Sequence, residues 1–172
     1  MTEYNTYETE RLLLKPTSEE DAGFIFELLN SANWLKYIGN RNVLSIESAR
    51  EYIKFKMLPQ LEKLGFGNYT VIRKSDHVSM GICGLYDREG LDGLDIGFAF
   101  LSEYEGNGYA FESANKLKQV ISDEFGISEI VAITTQDNVS SQKLLEKLGL
   151  RLTGTTKIPN DDKDLLLYKI SK

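Results

Sequence analysis

Apolar positions along the chain recur in two periods, close to two in some segments and close to 3.6 in others, and the switches between them outline the elements. Glu10–Lys15 (ERLLLK) reads as a first strand stopped by Pro16, after a polar start expected to fray. Thr17 and Ser18 open a helix: Thr17 with Glu20 fits a capping box, and Ala22, Ile25, Phe26 and Leu29 follow at helical spacing as far as Asn30 or Ser31. Asn33–Asn42 is apolar but turn-rich and predicts a loop. A second helix spans about Ser45 to Lys63, bent or broken at Pro59. Phe66–Arg73, Ser79–Asp87 and Leu94–Leu101 are strands separated by hairpin-length turns, which predicts an antiparallel meander. Gly108–Phe125 is an amphipathic helix with Ala110, Ala114, Leu117, Ile121 and Phe125 on one face. Glu129–Thr135 then reads as a strand parallel to Leu94–Leu101, since strand–helix–strand is the usual way to make such a pair. Asp137 or Asn138 caps a further helix that ends at Gly149, and Leu150–Lys157 and Asp164–Ile170 form a last strand pair. The implied architecture is a single α/β domain: a mixed, mostly antiparallel sheet of about seven strands, a central parallel pair and about four helices.

Composition narrows the function. A chain of 172 residues that is 41% hydrophobic can bury a core without disulfides or metal staples. Its formal charge of −6 disfavours general binding to nucleic acid or anionic membranes, while leaving room for a local phosphate site. Cys83, the only cysteine, has no intrachain partner and lies in an apolar run, where a buried thiol is expected. One histidine and one cysteine give no spacing for a structural zinc site, so no metal is expected, and His77 falls in a polar turn. With no leader and no apolar run long enough to span a bilayer, the sequence predicts a cytoplasmic protein.

The richest chemistry lies at the junction from Asp95 to Phe125. A strand runs through a loop containing Gly106 and Gly108 into a helix whose first turn offers unpaired N–H donors and the positive end of its dipole. Such a junction can hold a phosphate ester without arginine side chains. Gly-x-Gly alone is a weak signal, because it also occurs in ordinary turns, and it matches neither the dinucleotide fingerprint nor a P-loop.

The loop Tyr104–Ala110 (YEGNGYA), followed by Asn138–Leu150 (NVSSQKLLEKLGL), resembles the GCN5-related N-acetyltransferases, the GNAT family. The opening Thr9–Ala22 (TERLLLKPTSEEDA) is similar to the branch containing ribosomal-protein N-terminal acetyltransferases. The resemblance covers about residues 8–170 and implies an acetyl-CoA-dependent N-acetyltransferase with its central parallel strands splayed apart. It places the CoA pyrophosphate on Glu105, Gly106, Asn107, Gly108, Tyr109 and Ala110, and the pantetheine arm beside Phe100, Leu101 and Ser102. Glu105 stands where the family usually has Gln or Arg. Asn138 and Ser141 match positions that contact the cofactor, and read equally as a helix cap and a first-turn hydroxyl.

The family tyrosine that protonates the leaving thiolate is replaced by Leu145, which leaves Ser141 or water for that step. Asp95 matches a position that often carries the carboxylate near the acceptor amine, and its alternative is a solvated strand-edge group. Trp34, Tyr37 and Tyr86 are the candidate wall of the acceptor site, with core packing as the competing reading. The implied acceptor is a protein N-terminus or a small amine. A non-catalytic CoA-binding or regulatory module is the alternative, transfer of a longer acyl group is also open, and monomer and homodimer stand equally.

Overall fold

The computed structural model describes residues 4–170, so the first three residues of the polar start lie outside the described range. One sheet of eight strands runs in the order β1-β2-β3-β4-β5-β6-β8-β7. The strands are β1 (Tyr7–Glu8), β2 (Leu12–Pro16), β3 (Asn68–Arg73), β4 (Val78–Tyr86), β5 (Leu94–Phe100), β6 (Ile130–Thr134), β7 (Arg151–Thr156) and β8 (Leu165–Ile170). Every neighbouring pair is antiparallel except β5 and β6, as the strand–helix–strand reading requires. The short β1 is the strand beyond the expected seven. It was not legible because two residues carry no alternation.

The helices are α1 (Ala22–Leu29), α2 (Ala32–Tyr37), α3 (Ile46–Tyr52), α4 (Leu58–Leu64), α5 (Tyr109–Phe125) and α6 (Val139–Lys147). Ser18 forms the first capping box, with Asp21 rather than the expected Thr17 with Glu20. Thr17 is buried, its hydroxyl drawn onto Thr70 under the helices. The segment expected as a loop contains α2, whose two turns end at Ile38. The long second helix is continuous, with a π-helical stretch at Ile53–Met57 joining α3 to α4. Pro59 explains it: the ring would clash with the carbonyl four residues back, and the wider turn, marked by the Leu58 N–H bond to Ile53, displaces that carbonyl.

Alternation along the strands divides the apolar side chains between two layers. Leu12, Leu14, Tyr69, Val71, Cys83 and Ile96 belong to the core shared with Leu117 and Ile121 of α5 and Leu145 and Leu148 at the end of α6. Ile82 and Leu101 pack with Ile25, Leu28, Ala49 and Ile53 in the second core, under α1–α3. Burying each such leucine or isoleucine contributes roughly 1.5–3 kcal/mol. Cys83 is fully buried, and burial pushes its thiol up to about 12. His77 closes the β3–β4 turn with a positive φ of 59°. No described helix is long and apolar enough to cross a membrane.

Candidate functional site

β5 and β6 pair over only two rungs, Leu94 with Ile130 and Asp95 with Val131, whereas β6 and β8 share five. Beyond Asp95 the parallel strands part. Gly97, Phe98 and Ala99 are half-buried although they lie in the middle of an eight-stranded sheet, as an opening beside them requires. The bonds at the two ends of β5 fix which main-chain groups face that opening. Leu94 N–H reaches Glu129 O on the β6 side (3.4 Å), and Leu101 N–H reaches Met80 O on the β4 side (3.0 Å). Because the direction alternates residue by residue, the N–H and C=O groups of Phe98 and Phe100 turn into the opening. Leu101 is occupied within the protein, since its C=O accepts from Tyr104 N–H (3.0 Å). Of the three residues expected beside the pantetheine arm, Phe100 therefore has a main chain facing the splay, Leu101 does not, and Ser102 accepts from Glu105 N–H at 3.2 Å.

At the C-terminal end of β5 the chain enters an exposed loop and then α5. Gly106 and Gly108 have φ of 79° and 81°, a left-handed geometry that turns successive N–H groups toward one side. Asn107 folds its amide back on the carbonyls of Tyr104 and Glu105. The Glu105 carboxylate accepts from the Asn33 amide of α2 at 3.0 Å. Tyr109 and Ala110 begin α5, where first-turn N–H groups lack intrahelical partners. Glu112, also in that turn, is neutralised. Burial opposes its charge, but hydrogen bonds from Thr9 and Arg11 hold the carboxyl below its usual range, with Arg11 Nε at 2.8 Å. The positive character of the helix end is thereby preserved.

Beside Gly108 a groove of about 500 Å³ continues from the loop, lined by Arg11, Phe111, Lys116 and Lys147 among others. Lys147 lies over the Phe111 ring at 4.2 Å. These two lysines were missed in the sequence because they come from separate helices. Asn138 caps α6, accepting from Ser141 N–H at 3.3 Å through Oδ1. The cap uses only the carbonyl oxygen, and the NH₂ group is bonded to no described residue. Leu145 is buried in the core shared with α5.

The other end of β5 is built from side chains. Asp95 is not the solvated strand-edge carboxylate of the alternative reading: it is 3% exposed and bonded to Arg88 Nε at 2.9 Å. Burial raises its pKa to about 6, against the lowering effect of Arg88 and of the Ile133 N–H. Tyr86 lies opposite Asp95 in the register, with its ring across Gly84 and Gly97. A Cβ on Gly97 would sit 2.9 Å from that ring, so the strand must be bare there. Burial pushes the Tyr86 phenol up, and its hydroxyl bonds to Asn68 Oδ1. From Asn68 the polar chain continues to Thr17 (2.8 Å), Thr70 (2.9 Å) and Asp21 (3.2 Å). Asn68 also meets Met57 Sδ of the π segment.

Trp34 is buried in the helical core, the packing alternative left open by the sequence, and its indole N–H has no partner among the described residues. Tyr37 is half-buried at the end of α2, with Lys36 over its ring. Neither stacks on Tyr86 among the described residues. Arg88 escaped the sequence reading because it sits in a turn seven residues before its partner; only the register brings the two together. No cluster that could hold a metal occurs among the described residues.

The acetyltransferase (GNAT) domain model matches residues 11–151. The uncharacterized N-acetyltransferase YoaA of Bacillus subtilis is 29% identical over 148 residues, covering 86% of this chain and 83% of its own. A GNAT-family acetyltransferase from Bacillus anthracis shares the fold at 24% identity and a TM-score of 0.79, over 97% of this chain and 98% of the other. The ribosomal L7/L12 α-N-protein acetyltransferase RimL, solved with CoA, superposes with a TM-score of 0.82 at 17% identity, over 97% and 98% of the two chains.

Proposed function

Because the chain belongs to the GNAT family of acetyltransferases, we propose that it transfers an acetyl group from acetyl-CoA to a primary amine by direct attack in a ternary complex. The observation that carries this reading is the two-rung pairing of β5 and β6, which leaves a slot beside Phe98 and Phe100 ending at the Gly106–Gly108 loop. The residues fit the cosubstrate. Main-chain N–H groups of the loop and of Tyr109 and Ala110 hold the pyrophosphate without a positive side chain at Glu105. Lys116 and Lys147 extend the anion site along the groove. Phe98 and Phe100 offer strand-like hydrogen bonds to the pantetheine amides, and Asn138 adds its free NH₂.

Acetyl-CoA supplies a thioester carbonyl activated for attack. The amine nitrogen bonds to that carbon, the carbon–sulfur bond breaks, the sulfur leaves as CoA, and one proton passes from nitrogen to the protein or solvent. An N–H fixed in the splay stabilises the charge that grows on the carbonyl oxygen more than it stabilises the ground state. Asp95 is the base, directly or through one water: titrating near pH 6, it is ionised at neutral pH yet basic enough to take a proton. Tyr86 is not the acid, because its hydroxyl proton is donated to Asn68. Ser141 or water protonates the thiolate. The acceptor is a protein N-terminus or a small amine.

Calorimetry with acetyl-CoA tests the cradle. The expected result is binding by the native protein and an affinity loss of at least about 100-fold in Gly108→Glu, which sets a side chain and a negative charge against the phosphates. The φ of 81° at Gly108 adds strain of about 1–2 kcal/mol to the variant, so its unfolding midpoint is measured in parallel. Equal affinity in the two folded proteins would overturn the assignment of the loop. Burial of Leu145 in place of a catalytic tyrosine favours one second reading, a CoA-binding module. Tight acetyl-CoA binding with no CoA release from any amine would select it.

A further inference from the structure

Arg88 is the one cationic side chain bonded to the buried end of the splay, and Asp95 engages only part of it. Its Nε donates to Asp95 Oδ2 at 2.9 Å, its guanidinium carbon lies 5.9 Å from the centre of the Tyr86 ring, and its side chain is 36% exposed. Neither terminal nitrogen is bonded to any described residue. A guanidinium held this way, by an ion pair on its inner edge and an aromatic face beneath it, presents a fixed planar pair of donors outward. That shape matches a carboxylate.

Position along the strand makes this edge relevant to the acceptor. Gly97 and Phe98 mark the open part of the splay, and Asp95 lies two residues back, a separation of roughly 6–7 Å at the rise of a strand. The Tyr86 ring covers Gly97 and Gly84 and so paves the space between them. An amine poised over Gly97, with the rest of its molecule lying on Tyr86, brings a carboxylate borne near the nitrogen toward the terminal nitrogens of Arg88.

Resting on the acetyltransfer reading, we propose that the acceptor carries a carboxylate close to its reactive amine, held by the outer edge of Arg88. Two sources share that chemistry. In a free amino acid the α-carboxylate sits beside the amine, and in a peptide N-terminus the carboxylate belongs to an acidic second residue.

The test compares matched acceptors at saturating acetyl-CoA, reading CoA release. One arm sets the amino acids as a group against their amides. The other sets amidated tripeptides with aspartate in second place against those with asparagine. The expected result is a preference of at least about 10-fold in kcat/KM for the carboxylate member of one arm, weakened by salt, as for one charged hydrogen-bonded contact. In Arg88→Gln that ratio falls to about one. The ratio is the readout because loss of Arg88 also raises the pKa of Asp95 and slows both members of a pair alike, while a merely structural role for Arg88 would leave the ratio intact. Equal rates for acid and amide in the native protein, or a ratio unchanged in Arg88→Gln, overturn the inference and leave acetyltransfer standing. Acetyl-CoA binding without CoA release from any pair overturns both.

Discussion

At its C-terminal end β5 runs into an exposed loop whose working parts are main chain, two left-handed glycines and the first turn of one helix. At its N-terminal end the same strand is closed by side chains, the buried Asp95 from β5 and Asn68 from β3, with Tyr86 from β4 and the partly exposed Arg88 from a turn. The first end tolerates almost any side chain that points outward, because the backbone carries the chemistry. The second depends on each neighbour, since the Asp95 carboxylate and the Tyr86 hydroxyl are each bonded to a specific side chain from another element. One strand thus joins the cradle proposed for the cosubstrate to the pocket proposed for the acceptor.

The sharpest break in this comparison is Asp95→Asn. It is expected to lower kcat by about 100- to 10,000-fold, the range for a general base, with acetyl-CoA affinity unchanged because the cradle is elsewhere. In the native protein the rate rises with pH through about 6 as the carboxylate ionises, and the variant loses that limb. The sign for stability is the reverse. With its pKa raised from 3.8 to about 6, Asp95 keeps a proton when folded that the unfolded chain has lost, so its contribution to stability falls as pH rises across that window. Urea unfolding at several pH values, native against variant, checks it.

A smaller effect is expected from Gly97→Ala, whose added Cβ would lie 2.9 Å from Tyr86 Cε2 and tilt the ring. Stability falls by about 1–3 kcal/mol, as for other overpacked sites. The acceptor KM rises while acetyl-CoA binding holds. The smallest effect belongs to the exposed end. Glu105→Gln keeps an acceptor for Asn33 and removes a charge already bonded to that amide, so acetyl-CoA affinity changes by less than about threefold. A larger gain would mean that the carboxylate does feel the phosphates.

This contrast also governs what could be read from the sequence. The Gly106–Gly108 loop, the α5 stripe and the Asn138 cap are local, their signals carried by residues within a few positions of one another. α2 was missed because its two turns lie among Asn33, Gly39 and Asn40, residues that outweigh the four-residue spacing of Trp34 and Ile38. Thr17 and Ser18 each precede an acidic residue at the capping distance, and only tertiary contact decides between them, by drawing Thr17 onto Thr70. Asp95 was visible as a residue but not as a buried one. Its environment depends on antiparallel register, which sets Tyr86 across from it and brings Arg88 over the edge.

The sealed position of Cys83 reaches beyond packing. The chain's sole sulfhydryl is fully buried, and with its pKa at about 12 it is almost wholly un-ionised at neutral pH. A disulfide chromogen added to the native protein therefore meets no reactive sulfur of its own. Colour that develops during turnover reports liberated CoA alone, and colour that appears without substrate becomes a gauge of the sheet coming apart.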